Sequence, residues 1–309
     1  MLRNMLLAAA DSGRIREAVR VAPAARAVVD RYVAGESVSE AVATARMLRS
    51  AGLLVSLDYL GEDTRDGQRA AATAAQYIQL IGKLAAEGLT EGGAVEVSVK
   101  LSALGLLLDA DVPVSGGPVS GGAVSGGAVS GGTGPGVLGE RVAAEHLKRI
   151  AAAAREAGTT VTVDAEDHRT TDATLRITSA LRAEFPSAGS VLQAALRRTE
   201  TDVRQLAAPG VRVRLCKGAY AEPIADAFAS RHEIDKSFAR CLRILMAGPG
   251  YPMIATHDPR LIAITRSLGL ARSADGFEYQ MLYGVRPDEQ RRLAAAGARV
   301  RVYVPYGED

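Results

Sequence analysis

The sequence predicts an α/β fold, a (β/α)8 TIM barrel with an N-terminal helical extension. Three observations point there. From residue 53 onward short β-type runs alternate with helix-type runs, which argues for a parallel sheet. The β-type runs number eight, the count that closes such a barrel. Several of them alternate apolar residues with charged ones, so that one face suits a core and the other a polar interior.

The elements follow in order. Residues 1–48 read as the helical extension: Leu2, Met5, Leu6 and Ala9 share a helix side, and Ala34-Gly35-Glu36 makes a turn before a further helix. Asp11 and Arg14 interrupt the early apolar run, so it reads as neither a signal peptide nor a spanning helix. Residues 49–309 form the barrel. Its strands are predicted at Leu53–Tyr59, Val95–Leu101, Val161–Glu166, Val191–Leu196, Val211–Cys216, Met253–Thr256, Phe277–Leu282 and Val300–Val304. Helices are predicted near 66–87, 139–157, 171–183, 199–207, 223–247, 259–268 and 287–296. A Gly-rich, low-complexity stretch at 112–136, containing VSGGP-VSGGA-VSGGA-VSGGT, breaks the rhythm. Its small side chains bury too little area to offset ordering entropy, which predicts a mobile loop.

Composition narrows the function classes. The chain has 309 residues, 48% hydrophobic and 23% charged, with a net charge of +2. That balance suits a soluble globular protein and implies no broad nucleic-acid patch. Two cysteines, Cys216 and Cys241, make no disulfide framework, and a reduced cytoplasmic setting is the default. His146, His168, His232 and His257 are too widely spaced for a local metal site, so none is expected.

VRVRLCKGAY (211–220) is the most informative segment. Val211, Val213 and Leu215 share one face; Arg212, Arg214 and Cys216 share the other. Buried guanidinium groups need partners or cost several kcal/mol each, on the order of any unpaired buried charge. Other strands place polar residues in the same way: Ser56 and Asp58; Glu96, Ser98 and Lys100; Thr162, Asp164 and Glu166; Gln193; Thr256-His257-Asp258; Glu278 and Gln280; Tyr303. Lys100, Asp164, Gln193, Arg214, Lys217 and His257 would converge on one barrel mouth, where chemistry collects in this fold. No G-x-S-x-G, H-E-x-x-H, Walker or strand-following G-x-G-x-x-G motif occurs. Cations with one amide and one carboxylate suit a long anionic cofactor across the mouth; alternatively Lys100 or Lys217 is a Schiff-base lysine.

The motifs RYVAGE, LDYLGE, VSVKLSALG, VTVDAEDH, VLQAALRRT, VRLCKGAY, ATHD, FEYQMLYG and RVYVPYG occur in the order seen in proline dehydrogenases. The sequence resembles that family along nearly its whole length, the Gly-rich insert excepted. The resemblance implies a barrel holding FAD non-covalently. It implies oxidation of L-proline to Δ1-pyrroline-5-carboxylate by hydride transfer from C5 to flavin N5, with electrons passed to a membrane quinone. A pyrroline-5-carboxylate dehydrogenase is an implied partner, and the implied location is the cytoplasm, peripheral at the inner face of the cell membrane.

Residue by residue, the resemblance places Arg214 beside the reactive flavin nitrogen and Asp164 as an active-site acid. Lys100 would meet the substrate carboxylate, and Leu282 and Tyr303 would pack on the proline ring. Val163, Gln193, Lys217, Gly218, Ala219, Tyr220, Thr256 and His257 would join Arg214 in holding the cofactor. Arg212 is expected to pair more deeply, with Glu96. The sequence departs from the family's pattern after PYG. There relatives carry a last helix with a Tyr and an Arg-Arg substrate clamp, whereas this sequence ends Gly307-Glu308-Asp309. Arg291-Arg292 belong to the preceding predicted helix and are no substitute. The alternative expectation is therefore a flavin-binding barrel impaired in catalysis. Ala221 stands where an aromatic is common, and ATHD replaces the more usual ATHN, a change expected to be minor.

Overall fold

The computed structural model of the chain describes residues 31–108 and 136–307. Residues 1–30 of the helical extension, and all but Gly136 of the Gly-rich stretch, lie outside the described residues. Eight parallel strands close into one barrel in sequence order. They are β1 (Leu54–Tyr59), β2 (Val95–Val99), β3 (Val161–Val163), β4 (Gly189–Gln193), β5 (Arg212–Cys216), β6 (Tyr251–Ala255), β7 (Glu278–Leu282) and β8 (Val300–Tyr306). Closure pairs β1 with β8, Leu54 opposite Arg301 and Tyr59 opposite Tyr306.

Helix α1 (Val38–Ser50) precedes β1. Its start is fixed by a capping box in which the Ser37 side chain accepts from Glu40 N and Glu40 reaches back to Ser37 N. Its buried stripe of Val38, Ala41, Val42, Ala45 and Leu48 belongs to the same core as β1 and β8. The connecting helices are α2 (Gly67–Ala86), α3 (Val137–Glu156), α4 (Thr171–Arg182), α5 (Thr199–Leu206), α6 (Arg231–Ala247), α7 (Pro259–Gly269) and α8 (Pro287–Ala295).

The hydrophobic core lies outside the barrel, between sheet and helices. Outward-facing Val55, Leu57, Val95, Val97, Val99, Val161, Val163, Val300, Val302 and Val304 meet the apolar stripes of the neighbouring helices there. A second cluster, with Leu192, Val213, Leu215 and Ile254, packs on α6 through Phe238, Leu242 and Leu245. The alternation read in the sequence is therefore real, with the polar residues inside.

Several predicted strand ends shift by two or three residues, the third strand stopping at Val163 rather than Glu166, and two of the misplaced boundaries have a clear physical cause. The fourth strand is Gly189–Gln193, not Val191–Leu196. The apolar run VLQAAL drew the prediction two residues downstream, but Gly189 carries the first inward position. A Cβ there would lie 2.8 Å from Thr162 Oγ1 and 3.1 Å from Met253 Cε, so the crowded interior takes glycine. The helix predicted over 223–247 begins only at Arg231. Ser230 caps it by a second capping box with Glu233, while residues before it fold against the β4 loop through Phe228 N to Ala195 O.

Close helix–loop packing makes one glycine indispensable. A Cβ at Gly139, in the first turn of α3, would come within 2.2 Å of Leu106 O. Gly139→Ala should therefore destabilise the fold by about 1–3 kcal/mol, the usual cost of overpacking. A denaturant midpoint equal to that of the parent chain would show that this contact relaxes freely.

Candidate active site at the barrel mouth

The barrel interior is ionic from floor to mouth. In the lower layer Glu96 accepts from Arg212 Nη2 at 2.6 Å, joining β2 to β5 as expected from the sequence. Arg301 of β8 donates to Glu278 of β7 at 2.7 and 3.2 Å and lies 3.8 Å from Glu96. Tyr251 OH donates to Glu278 at 3.1 Å, and Thr162 Oγ1 to Glu96 at 3.0 Å. Burial works to raise the Glu96 carboxyl, but Arg212, Arg301 and Arg214 outweigh it and hold the group near 2. Arg301, only 2% exposed, went unnamed in the sequence reading. Its signal was present: Val300-Arg301-Val302 repeats the apolar-Arg-apolar pattern of β5.

The upper layer is built on Arg214, 4% exposed. Its Nη1 donates to Asp164 at 2.5 Å and to Ser98 Oγ at 2.8 Å, its Nη2 to Ser56 Oγ at 3.3 Å, and its Nε to Gln280. Gln280 is itself fixed, because its amide nitrogen donates to the Glu278 carboxylate at 2.6 Å. A carboxylate only accepts, so the Gln280 oxygen must face Arg214. Asp164 also accepts from Tyr303 OH at 2.9 Å and Ser98 Oγ at 2.8 Å. Burial would lower the Arg214 pKa, but Asp164 and Glu96 raise it, and the cation stays charged.

Beside this layer Lys100 Nζ pairs with Asp58 at 2.9 Å. Burial alone would lower the lysine; Asp58 and Asp164 instead lift it above its ordinary value. An ammonium so held is a poor Schiff-base nucleophile, which needs a free amine. Lys217 is equally committed, 2.5 Å from Asp235 and 3.1 Å from Asp258. The Schiff-base alternative loses its support.

Above these layers opens a cavity of about 850 Å³. Every residue that the family resemblance assigned to the substrate or cofactor lines it except Val163, whose side chain packs in the core, while Ser56, Asp58, Glu96, Ser98, Thr162, Glu166, Arg212 and Glu278 are not among its lining residues. Gln193 Nε2 donates to Glu166 O at 2.6 Å, which leaves its oxygen turned toward Gly218. Gly218 has φ +103°, and a Cβ there would lie 3.0 Å from Gln193 Oε1. Backbone can thus approach a flat ligand closely at this point. His257 accepts from Leu282 N at 2.9 Å through Nε2; burial and the nearby Arg286 lower its pKa and keep it neutral for that role. Leu282 is half-exposed at the mouth, Tyr220 OH donates to Glu62 at 3.0 Å, and Thr256 Oγ1 accepts from Asp258 N at 3.1 Å. Arg291 and Arg292 lie on α8 and pair with Asp288 and Glu289, away from the cavity.

Sequence reasoning missed the parts that hold these loops. The His168 ring pairs with Glu222 at 2.6 Å, tying the β3 loop to the segment after Tyr220. Asp235 and Arg260 join Lys217 at the rim. Asp258, a change expected to be minor, bonds Lys217, Arg260 and the first turn of α7.

A family model described as Proline dehydrogenase matches residues 41–309. The chain belongs to the proline dehydrogenase family. It is 34% identical over 281 residues to Proline dehydrogenase 1 of Bacillus subtilis (strain 168), covering 90% of this chain and 82% of that one. It is 33% identical over 286 residues to Proline dehydrogenase of Deinococcus radiodurans, covering 91% and 82%. Among solved structures, proline utilization A (PutA) from Bdellovibrio bacteriovorus, inactivated by N-propargylglycine, shares the fold with a TM-score of 0.76 at 23% identity. That match covers 92% of this chain and 31% of the PutA chain.

Two outcomes follow for the buried charges. Arg301→Leu removes the partner of Glu278 and should cost about 3–5 kcal/mol of stability, read from denaturant unfolding. A loss below about 1 kcal/mol, the scale of a surface pair, would contradict the ionic floor. Glu166 behaves in the opposite sense to Glu96. Burial raises its carboxyl from 4.5 to about 7 despite hydrogen bonds from Ser102 N and Oγ. The folded chain therefore keeps a proton that the unfolded chain has released, and this group's contribution to stability falls as pH rises from about 4.5 to about 7. Glu166→Gln should flatten that part of the melting-temperature profile; an unchanged slope would rule out Glu166 as its source.

Proposed function

We propose that this chain oxidises L-proline to Δ1-pyrroline-5-carboxylate with a non-covalently held FAD, and that the electrons pass to a membrane quinone. Family membership supports the reaction. The observation that carries the cofactor is Arg214, a guanidinium fixed by four protein acceptors at the base of a large open cavity. A permanent, immobile cation there suits a group that gains negative charge on reduction.

The residues fit a flavin on chemical grounds. Gly218, where a side chain would press on Gln193 and Ala195, lets the backbone lie close to Gln193 at the cavity wall where a ring would sit. Gln193 offers an acceptor oxygen to a ring N–H, and Arg214 offers positive charge. Lys217, Arg231 and Arg260 line the outer end of the cavity, where the phosphates would lie. When bound, the flavin supplies the acceptor for the hydride lost from proline C5.

The chain's own groups would do the rest. Lys100, kept charged by Asp58 and Asp164, would hold the proline carboxylate. Tyr303 and Leu282 would flank the apolar face of the ring and exclude water from it. Asp164 already accepts from Arg214, Ser98 and Tyr303, so its role is to hold the arginine and the tyrosine in place. Forming the imine removes one hydride from C5 and one proton from the ring nitrogen.

Bifunctional protein PutA of Escherichia coli is 26% identical over 342 residues, and this chain spans 24% of it. A separate pyrroline-5-carboxylate dehydrogenase is the partner we propose for the product. No helix among the described residues is long and apolar enough to cross a membrane. We place the enzyme in the cytoplasm, meeting its quinone peripherally at the inner membrane face.

The test is direct. Chain purified with FAD should be yellow, bleach on addition of L-proline, and reduce a dye acceptor in a proline-dependent way. Arg214→Lys keeps the charge but loses the fork that reaches four partners. It should remain folded with turnover lowered about a hundredfold, the scale seen when one positioned electrostatic donor is removed. A chain that takes up no flavin would falsify the cofactor assignment, and near-normal turnover of Arg214→Lys would remove the role given to Arg214.

A further inference from the structure

The outer end of the cavity holds a charge arrangement that the flavin reading does not by itself require. Lys217 Nζ lies 2.5 Å from Asp235 and 3.1 Å from Asp258. Arg260 Nη2 lies 2.8 Å from the same Asp235 and 2.9 Å from the same Asp258. Each cation touches both carboxylates, so the four groups form a closed quartet of zero net charge. Arg231 lines the same end and has no ion pair among the described residues.

Asp258 has a second task. It caps α7, its Oδ1 accepting from Arg260 N at 3.0 Å ahead of Pro259. The helix N-terminus, which would otherwise offer a free donor and partial positive charge to an anion, already faces the protein's own carboxylate. The Arg260 and Lys217 hydrogen bonds hold Asp258 well below the usual carboxylate range, so it stays ionised throughout the working pH range.

We propose that Asp258 is a built-in counter-anion that competes with the cofactor's diphosphate for Lys217 and Arg260, and so sets how tightly a phosphate-bearing flavin is held. This rests on the FAD reading of the cavity. A diphosphate approaching the rim meets two cations already neutralised. It must share them with two carboxylates of its own sign. Like charges a few ångströms apart at a partly exposed site repel, and the repulsion grows with the charge the ligand carries. Asp258 therefore acts as a specificity-determining residue: it penalises binding in proportion to phosphate charge and leaves contacts to the flavin ring untouched.

The substitution Asp258→Asn isolates the charge, because asparagine caps a helix as well as aspartate does. Binding is read by quenching of flavin fluorescence on titration into apoprotein, with FAD, FMN and riboflavin as probes. Asp258→Asn should bind FAD about tenfold more tightly than the parent, FMN more tightly too, and riboflavin with unchanged affinity. Asp235→Asn, on a different helix and outside any cap, should shift FAD binding in the same direction and guards against a folding defect in the first variant. Unchanged or weaker FAD binding in both variants overturns the proposal. Equal tightening of riboflavin overturns it as well, since the effect would then not act through phosphate. A parent chain that binds none of the three flavins overturns the cofactor reading itself.

Discussion

A guanidinium without water must be given its solvation by the protein, and Arg214 is the residue on which this barrel imposes that demand. Removing an ion from water carries a penalty of several kcal/mol even after relaxation. It is met here by one carboxylate, two hydroxyls and one amide, drawn from β1, β2, the residue that follows β3, and β7, around a donor on β5. No two neighbouring strands could supply that set. Only a closed barrel brings Ser56, Ser98, Asp164 and Gln280 within reach of one side chain, so the fold and the fixed cation are a single design.

Once Arg214 is inside, the rest of the interior has to follow. Its amide partner Gln280 needs a fixed orientation, which Glu278 provides, and Glu278 then needs a cation of its own. Arg301 is that cation, and it brings Glu96 and Arg212 into the same network. The apolar residues that commonly fill a barrel of this type are displaced to the outer faces of the strands, where valine predominates and the helices close over it. Stability thus comes from the outer shell. The interior costs desolvation energy and returns positional rigidity.

This division explains what the sequence discloses and what it withholds. Strict alternation in VRVRLC, VEVSVK and VTVDAE exposes which residues face inward, because the period of two survives any uncertainty about the ends of a strand. The pairing of those residues is different. Arg214 and Ser98 are 116 positions apart and Arg301 and Val55 are 246 apart, so their contacts depend on barrel closure and leave no local trace. Arg301 went unnoticed for that reason, although its own strand has the same pattern. The late start of α6 and the early start of β4 were hidden for a related reason: each turns on a single residue, Ser230 as a cap and Gly189 as a gap for Thr162 and Met253. The residues that line the mouth were legible through the order of their motifs. The carboxylates that restrain them were not.

Floor and rim hold their charges by opposite means, and the contrast bears on how the site would work. Inside the barrel, donors and acceptors are buried or half-buried and each has a fixed partner, so the field at Arg214 is set before any ligand arrives. That is the condition under which a preorganised charge is most effective, since nothing need reorganise during reaction. At the rim, Arg260 is 73% exposed and Lys217 lies between two carboxylates on different helices. The Arg260 contacts, open to water, are worth little individually and exchange more readily than those inside the barrel. The anionic tail of the proposed cofactor would exchange with the Arg260 contacts, whereas its ring would meet an arginine whose partners are already fixed. Exchangeable pairing at the rim and fixed pairing inside would together let the proposed cofactor enter and leave while Arg214 stays in place.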